Sequence, residues 1–408
     1  MAFAVQLTKR PKRLKDGSRA FYWTLRWRAT NGKLHSESIG RVGVITKTKA
    51  ETLRRQKEAS ITAGLSPRDK PEEITLGRFL DLDYEAIKPD VKPNTLEGHR
   101  HAALHAKEAL GEHARLQQIG PHQVGRLKTY LLNEKKSAPA TVAKTLRTLK
   151  AAFYRAKKLG FIQTNPFAGV KMPRTQSRPK RMFSPEETRA MRDSAPSLWW
   201  RAFILLAETS GLRKGELLNL LWQDIDFKEK TVRVAAKRAA TFTANGHGEL
   251  PILAWSAKSY HERTIPLPEA TLTLLQELRQ EMADTPYVFL SLDRLAVIRE
   301  AIETGEFGAN YELVNNINRW FDKVQDAART SLAAARGVEP DKVEWPRGTI
   351  HDLRRTYGTR IARIVPIHVL KEYMGHAKIQ TTQEYYLAAE AADAQATRGA
   401  LDAMVNGK

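Results

Sequence analysis

The sequence predicts a multidomain protein, mainly α with α+β parts: a small N-terminal three-stranded sheet plus helix, an all-α domain, and a mixed α/β domain. Three observations predict it. The turn pairs Asp16-Gly17 and Asn31-Gly32 divide the first segment into stretches of β-forming residues. From Thr75 to about Leu159 a helical period is broken only at Pro89, Pro93, Gly120-Pro121 and Ala138-Pro139. At Ser184-Pro185-Glu186-Glu187 an N-cap, a Pro at the first helical position and a Glu three residues past the cap open a new domain. A chain of 408 residues accommodates roughly two to four domains with cores of their own.

In the first segment Phe21, Trp23, Leu25 and Trp27 alternate with Tyr22, Thr24, Arg26 and Arg28. That alternation makes one strand face apolar and the other basic. Lys47 to Thr62 contains no Pro or Gly and predicts a helix packed on the sheet. The basic face, with Arg26 and Arg28, could lie in a DNA groove, or the unit is simply a small sheet packed on its helix. Residues 1–70 form this unit and residues 71–173 the helical one. In the last helix of the latter, Val142, Leu146, Leu149 and Phe153 form an inward stripe, while Lys144, Arg147, Lys150, Arg155, Lys157 and Lys158 cover much of the rest. Arg147, Lys150 and Lys157 are candidate phosphate contacts, against the alternative of a solvated basic face. Residues 174–183 read as a basic linker, since KMPRTQSRPKR (171–181) has two prolines, five cations and no apolar period. Residues 184–400 hold helices, a β-rich stretch from Thr231 to Leu267, and helices again; 401–408 is a tail.

The charge balance names the partner class. Lys and Arg total 67 against 45 Asp and Glu, a net charge of +22. A polyanion is the first expectation, nucleic acid above all, with a merely solvated basic surface as the alternative. No Cys is present, which excludes disulfides, thiolate metal sites and a Cys nucleophile. No apolar run is long enough for a membrane span, and the basic start MAFAVQLTKRPKRLK lacks a signal-peptide core. A soluble, intracellular protein is expected, in the cytoplasm at the nucleoid, with no membrane partner.

Three clusters carry chemistry. In TSGLRKGELLNLLWQDI, Arg213 and Glu216 stand at i and i+3 beside the apolar Leu217, Leu220 and Leu221, so Glu216 holds Arg213. In HDLRRTYGTRIARI, His351 and Arg354 repeat that spacing. In KEYMGHAKIQTTQEYY, Gly375 can end a helix in a left-handed conformation with His376 in the turn. Thr381 and Glu384 then form a capping box, which puts Tyr385 in the first turn of the next helix. Adjacent helical side chains diverge by about 100 degrees, so Tyr385 and Tyr386 cannot share one target.

Taken in order, R213xxE216, H351xxR354, G375H376 and TTxxY385 resemble the signature of the tyrosine recombinases, the phage-integrase family. The likeness covers Ser184 to about Ala400 by motif and Thr75 to Pro173 by layout. It implies a mixed α/β catalytic domain, a helical core-binding domain, and for residues 1–70 an arm-type DNA-binding domain, the whole forming a C-shaped clamp on DNA. It also implies attack by Tyr385 on a DNA phosphodiester, a 3′-phosphotyrosine intermediate, strand exchange without ATP, and no metal or other cofactor. The implied partners are double-stranded DNA attachment sites and three further copies in a homotetramer, with an accessory directionality factor admitted but not identified. Integration or excision of a mobile element is the expected role.

The residue types suit that chemistry. Arg213 and Arg354 can bind non-bridging oxygens bidentately. His376 can donate a further hydrogen bond, and His351 can donate or accept a proton. A phenol, ordinarily near pKa 10, needs surrounding cations to become a nucleophile. The resemblance assigns protonation of the leaving 5′-oxygen to a hairpin lysine five residues before an Arg. Lys258 has that spacing to Arg263, in SAKSYHERTIPL. Lys237, at the end of VRVAAK, is the reserve, and an insertion between the two is expected. Rival functions are a type IB topoisomerase, which reseals the same strand, a DNA-binding regulator without catalysis, and a metal nuclease, for which no compact ligand motif appears.

Overall fold

The computed structural model describes residues 5–13, 17–28, 34–62, 74–174, 181–244, 248–257, 262–282, 284–307, 311–390 and 398. The turn residues Asp16 and Asn31-Gly32, linker residues 175–180, Lys258 and the tail 401–408 lie outside them. The chain divides into two compact units, Met1–Ser177 and Arg178–Lys408.

In the first unit β1 (Gln6–Arg13), β2 (Arg19–Arg28) and β3 (Leu34–Arg41) form an antiparallel sheet with β2 in the centre. Arg13 pairs with Arg19 and Arg28 with Leu34 at the ends of the described strands. Helix α1 (Lys47–Thr62) has the predicted bounds. Val5, Leu25 and Trp27 are buried with Ile61 packed against them, and the Trp23 indole N–H donates to the Ile45 carbonyl at 3.0 Å. Phe21 departs from the expected apolar face and is 54 % exposed, because it pairs with Pro11 near the first hairpin while the small core gathers at the other end of the sheet. Thr24, expected on the polar face, is buried.

The helices α2 (Leu76–Ile87), α3 (Pro93–Leu110), α4 (Pro121–Thr129) and α5 (Pro139–Lys158) follow, and the last three begin on a proline. Proline at the first helical position fixes a suitable φ and costs no hydrogen bond there. Val142, Leu146, Leu149 and Phe153 of α5 are buried against Leu76, Phe79 and Leu127, as the stripe predicts. Arg155 is not an open cation: its Nε and Nη2 donate to Asp83 at 2.6 and 2.7 Å.

In the second unit α6 (Pro185–Asp193) starts on the predicted capping box, with Ser184 N donating to Glu187 at 2.8 Å and Glu187 N to Ser184 at 3.1 Å. Then come α7 (Leu198–Ser210), α8 (Lys214–Leu218), β4 (Ile225–Asp226), β5 (Thr231–Val234), β6 (Ala240–Ala244), β7 (Gly248–Ile252) and β8 (Arg263–Pro266). They are followed by α9 (Glu269–Glu281), α10 (Leu292–Glu303), α11 (Ile317–Arg336), α12 (Ile350–Ile361) and α13 (Ile367–Met374). Residues 379–390 are again helical. Strands β4, β5 and β8 make one antiparallel sheet, and β6 and β7 a separate hairpin inserted between β5 and β8. A bridge between Lys237 and Trp255 closes the neck of that insertion, and Ala244 and Leu250 bury themselves with Tyr287, Leu295 and Ile298. The main core joins α6, α7 and α9 to α11, α12 and α13 through Phe203, Leu272, Phe321, Leu353 and Leu370. Among the described residues no helix is long and apolar enough to cross a membrane.

Candidate active site

A cleft of about 540 Å³ in the second unit is lined by Arg213, His351, Arg354, His376 and Tyr385, so five separated motif residues meet in one place. Three chain features bring them there. Arg213 is the N-cap residue of α8. His351 and Arg354 lie on α12, whose start is fixed by Thr349 N and Oγ1 both donating to Asp352 at 2.8 Å. Gly375 ends α13 at φ +59, a left-handed conformation that other residues adopt only with strain. A Cβ on Gly375 would also stand 3.0 Å from the Arg263 guanidinium.

Glu216 organises the arginines. Its carboxylate accepts from Arg213 N and Nη1, each at 2.8 Å, as the i, i+3 spacing predicts. It also accepts from Arg263 Nη1 at 3.1 Å and Nη2 at 2.5 Å. Burial alone would raise the Glu216 pKa; the Arg263 pair and the Arg213 contacts overcome it and hold the acid below the usual carboxylate range. Arg263 Nε further donates to the Tyr373 carbonyl at 2.8 Å. Arg263 served in the sequence only as a spacing mark; its anchoring of Glu216 across 47 residues carried no local signal.

Backbone carbonyls hold the two cleft arginines. Arg213 Nη2 donates to the Gly375 carbonyl at 3.1 Å, and Arg354 Nη1 to the Gly211 carbonyl at 2.6 Å. Arg354 Nη2 donates to the Met374 carbonyl and to His376 Nε2, the latter at 3.2 Å. Burial, then the neighbouring Arg213, brings Arg354 down to about 9, which leaves it cationic at neutral pH. His376 is pulled down to about 3 by burial and then by Arg354, Arg213 and Arg263. The protein packed around His351, then Arg354 and Arg355, keep that imidazole below its ordinary value too, against Asp352. Both rings are therefore neutral at pH 7 in the DNA-free protein.

The Tyr385 ring stacks on His376 with centroids 5.6 Å apart and planes 24° from parallel. It rests on Gly358 of α12, where a Cβ would stand 2.5 Å from the ring. Tyr386 turns away, donating its hydroxyl to the Val365 carbonyl at 2.5 Å. The expected Thr381–Glu384 cap is not where the helix starts. Helical residues begin at 379 and Thr381 N bonds Lys378 O at 3.3 Å, so Tyr385 stands in the second turn. Thr381 N already finds a backbone acceptor in Lys378 O, so no side-chain cap is needed at that position.

Lys237 does not join this cleft. Its Nζ pairs with Asp224 at 2.5 Å, with 8 % and 6 % of the two side chains exposed. Lys258 lies outside the described residues, and its neighbour in the spacing, Arg263, begins β8. Arg147 and Lys157 are exposed on α5, whereas Lys150 Nζ donates to the Ala168 carbonyl at 3.2 Å. Arg26 and Arg28 stand on β2, half-buried and exposed respectively. Arg181, counted as a linker cation, packs instead over Phe183 at 4.5 Å and pairs with Glu187 at 2.6 Å.

Residues 182–392 match the phage integrase family and residues 75–172 the phage integrase SAM-like domain. A tyrosine recombinase XerC-like protein of Caldanaerobacter subterraneus subsp. tengcongensis is 26 % identical over 93 % of this chain and 95 % of its own. An integrase of Saccharopolyspora erythraea is 31 % identical over 41 % of this chain and 39 % of its own. Among solved structures, a lambda integrase tetramer bound to a Holliday junction shares the fold with TM-score 0.56 at 18 % identity, covering 89 % of this chain and 92 % of that one. The Tn1549 transposon integrase in complex with a circular intermediate DNA has TM-score 0.56 at 18 % identity, covering 79 % and 99 %. The chain belongs to the phage integrase family, the tyrosine-type site-specific DNA recombinases.

Proposed function

We propose that this enzyme integrates or excises a mobile element by cutting and rejoining DNA at attachment sites through Tyr385. The observation that carries this is the meeting of Arg213, Arg354, His351, His376 and Tyr385 in one cleft, with the tyrosine ring seated between His376 and Gly358. Arg213 and Arg354 bind the non-bridging oxygens, on which negative charge grows in the transition state. Tyr385 Oη attacks phosphorus and its proton passes to neutral His351. The bond from phosphorus to O5′ breaks as Lys258 protonates the leaving oxygen, which gives a 3′-phosphotyrosine and a 5′-hydroxyl. A 5′-hydroxyl from another strand reverses the step, so the bond energy is conserved. Lys258 rather than Lys237 takes the acid's role, since Lys237 is engaged in a buried ion pair.

The first unit is assigned to DNA binding, residues 1–70 to accessory arm sites and residues 71–173 to the core site, with Arg26, Arg28, Arg147, Lys150 and Lys157 at phosphates. Four protomers on two duplexes form the working assembly. The solved relatives support this in kind: one is a transposon integrase on a circular intermediate, another a tetramer on a Holliday junction. The test is a suicide substrate that traps the covalent adduct, followed by peptide mapping and by strand exchange between two duplexes. An adduct on Tyr385 with exchange is expected. Relaxation of supercoils without exchange would favour a type IB topoisomerase, and site binding without any adduct a regulator.

A further inference from the structure

Thr382 is fully buried in the helical segment 379–390, and its Oγ1 lies 3.0 Å from His376 Nδ1. On the opposite side of the ring, Nε2 lies 3.2 Å from Arg354 Nη2. A guanidinium only donates, so Nε2 must supply a lone pair. The ring is neutral, so its single proton sits on Nδ1 and Thr382 Oγ1 accepts it. This tautomer cannot donate from Nε2, whereas the residue types lead one to expect that His376 donates a hydrogen bond at the phosphate.

A phosphate oxygen that draws Arg354 toward itself removes the donor from Nε2. For Nε2 to carry a proton in a neutral ring, Nδ1 must become bare, and its partner must then donate. A hydroxyl can do either by rotating its O–H, with no heavy-atom movement. Valine has the same shape and can do neither.

We propose that Thr382 is a positioning residue that lets His376 exchange tautomers when phosphate binds, its hydroxyl accepting from Nδ1–H in the DNA-free enzyme and donating to bare Nδ1 once Nε2–H faces the phosphate. One proton leaves Nδ1 for solvent and one reaches Nε2 from solvent, so the ring stays neutral with no net uptake. The inference deepens the proposed function and rests on it for the identity of the phosphate as scissile.

The test has two arms. Histidine-selective 15N NMR is recorded on the DNA-free enzyme and on Tyr385→Phe bound to its site duplex, with the His376 signal assigned by its loss in His376→Gln. Protonation at Nδ1 in the free enzyme and at Nε2 in the complex is expected. The same tautomer in both states, or a doubly protonated ring in the complex, overturns the proposal. In the second arm, single-turnover cleavage at saturating DNA should fall about tenfold or more in Thr382→Val, the worth of one net hydrogen bond, while site affinity is kept. Thr382→Ser, which restores both capacities, should recover most of the rate. A valine variant that cleaves like the native chain overturns the assignment. Should Thr382→Val not fold, the NMR arm and the serine variant still decide it. If the native chain itself forms no adduct, the proposed function falls, and the ring's tautomer in the free enzyme is read regardless.

Discussion

Glu216 accepts two hydrogen bonds from Arg263, at 3.1 and 2.5 Å, with 2 % and 1 % of the two side chains exposed. The same carboxylate takes Arg213 N and Nη1, so the cleft arginine is held in place through a buried ion pair. Glu216→Ala strands the buried Arg263 charge and should cost about 3–5 kcal/mol in a denaturant titration. Glu216→Gln keeps an acceptor oxygen and should cost less. An alanine variant with an unchanged midpoint would falsify this account of the pair.

The adjacent tyrosines should separate cleanly. Tyr386→Phe deletes the hydrogen bond to Val365 O and should lower stability by about 0.5–1.5 kcal/mol while still forming the covalent adduct. Tyr385→Phe should bind site DNA and form none. The reverse pattern would mean that the register of the last helix is misassigned.

The two lysines should fail in different ways. Lys237→Ala leaves Asp224 buried without its partner and should appear as about 3–5 kcal/mol of lost stability. Lys258→Ala should fold normally and cleave slowly, and a 5′-bridging sulfur, which leaves without a proton, should restore its rate. Rescue of the Lys237 variant alone would exchange the two roles.

His376 sets an acid limit. Its folded value of about 3 lies below the ordinary 6.5, so below pH 6.5 the unfolded chain binds a proton that the native chain refuses. The stability it contributes is complete above pH 6.5 and is lost as pH falls from there toward 3. Glu216, also depressed, adds a loss at the acid end of that window. In the DNA-free protein the His376 ring resonance should stay constant from pH 8 to pH 5, and His376→Gln should blunt the acid loss of stability. A His376 signal titrating near pH 6.5 would contradict this.

What was legible in the sequence was local. The bounds of α1, the Ser184 capping box, the α5 stripe and the i, i+3 hold of Glu216 on Arg213 all follow from spacing within a few residues. The family spacing of Lys258 to Arg263 also announced an insertion after Lys237, although not that it forms a hairpin sharing a core with Tyr287 and α10. What escaped depended on distant partners. Arg155 and Arg181 read as open cations, since Asp83 lies 72 residues from Arg155, and Arg181 packs over Trp345, far along the chain, as well as over Phe183. Thr382 was invisible for a related reason: its neighbour Thr381 matched a capping pattern, while its own contact is to a ring nitrogen whose tautomer depends on Arg354.

Helix α12 carries His351, Arg354 and the Tyr385 seat at Gly358, at i, i+3 and i+7, within about 10 Å of axial rise. A single rod therefore serves as the ruler for His351, Arg354 and the tyrosine's seat. Any rocking of α12 displaces His351, Arg354 and the seat in common mode and leaves their spacing unchanged. The tyrosine's position relative to them is set separately, through the joint at Gly375, where the chain turns into the segment bearing Tyr385, while Arg213 is set by α8. That joint is the hinge between Tyr385 and the α12 pair, and the Tyr386 anchor to Val365 is the detent on it.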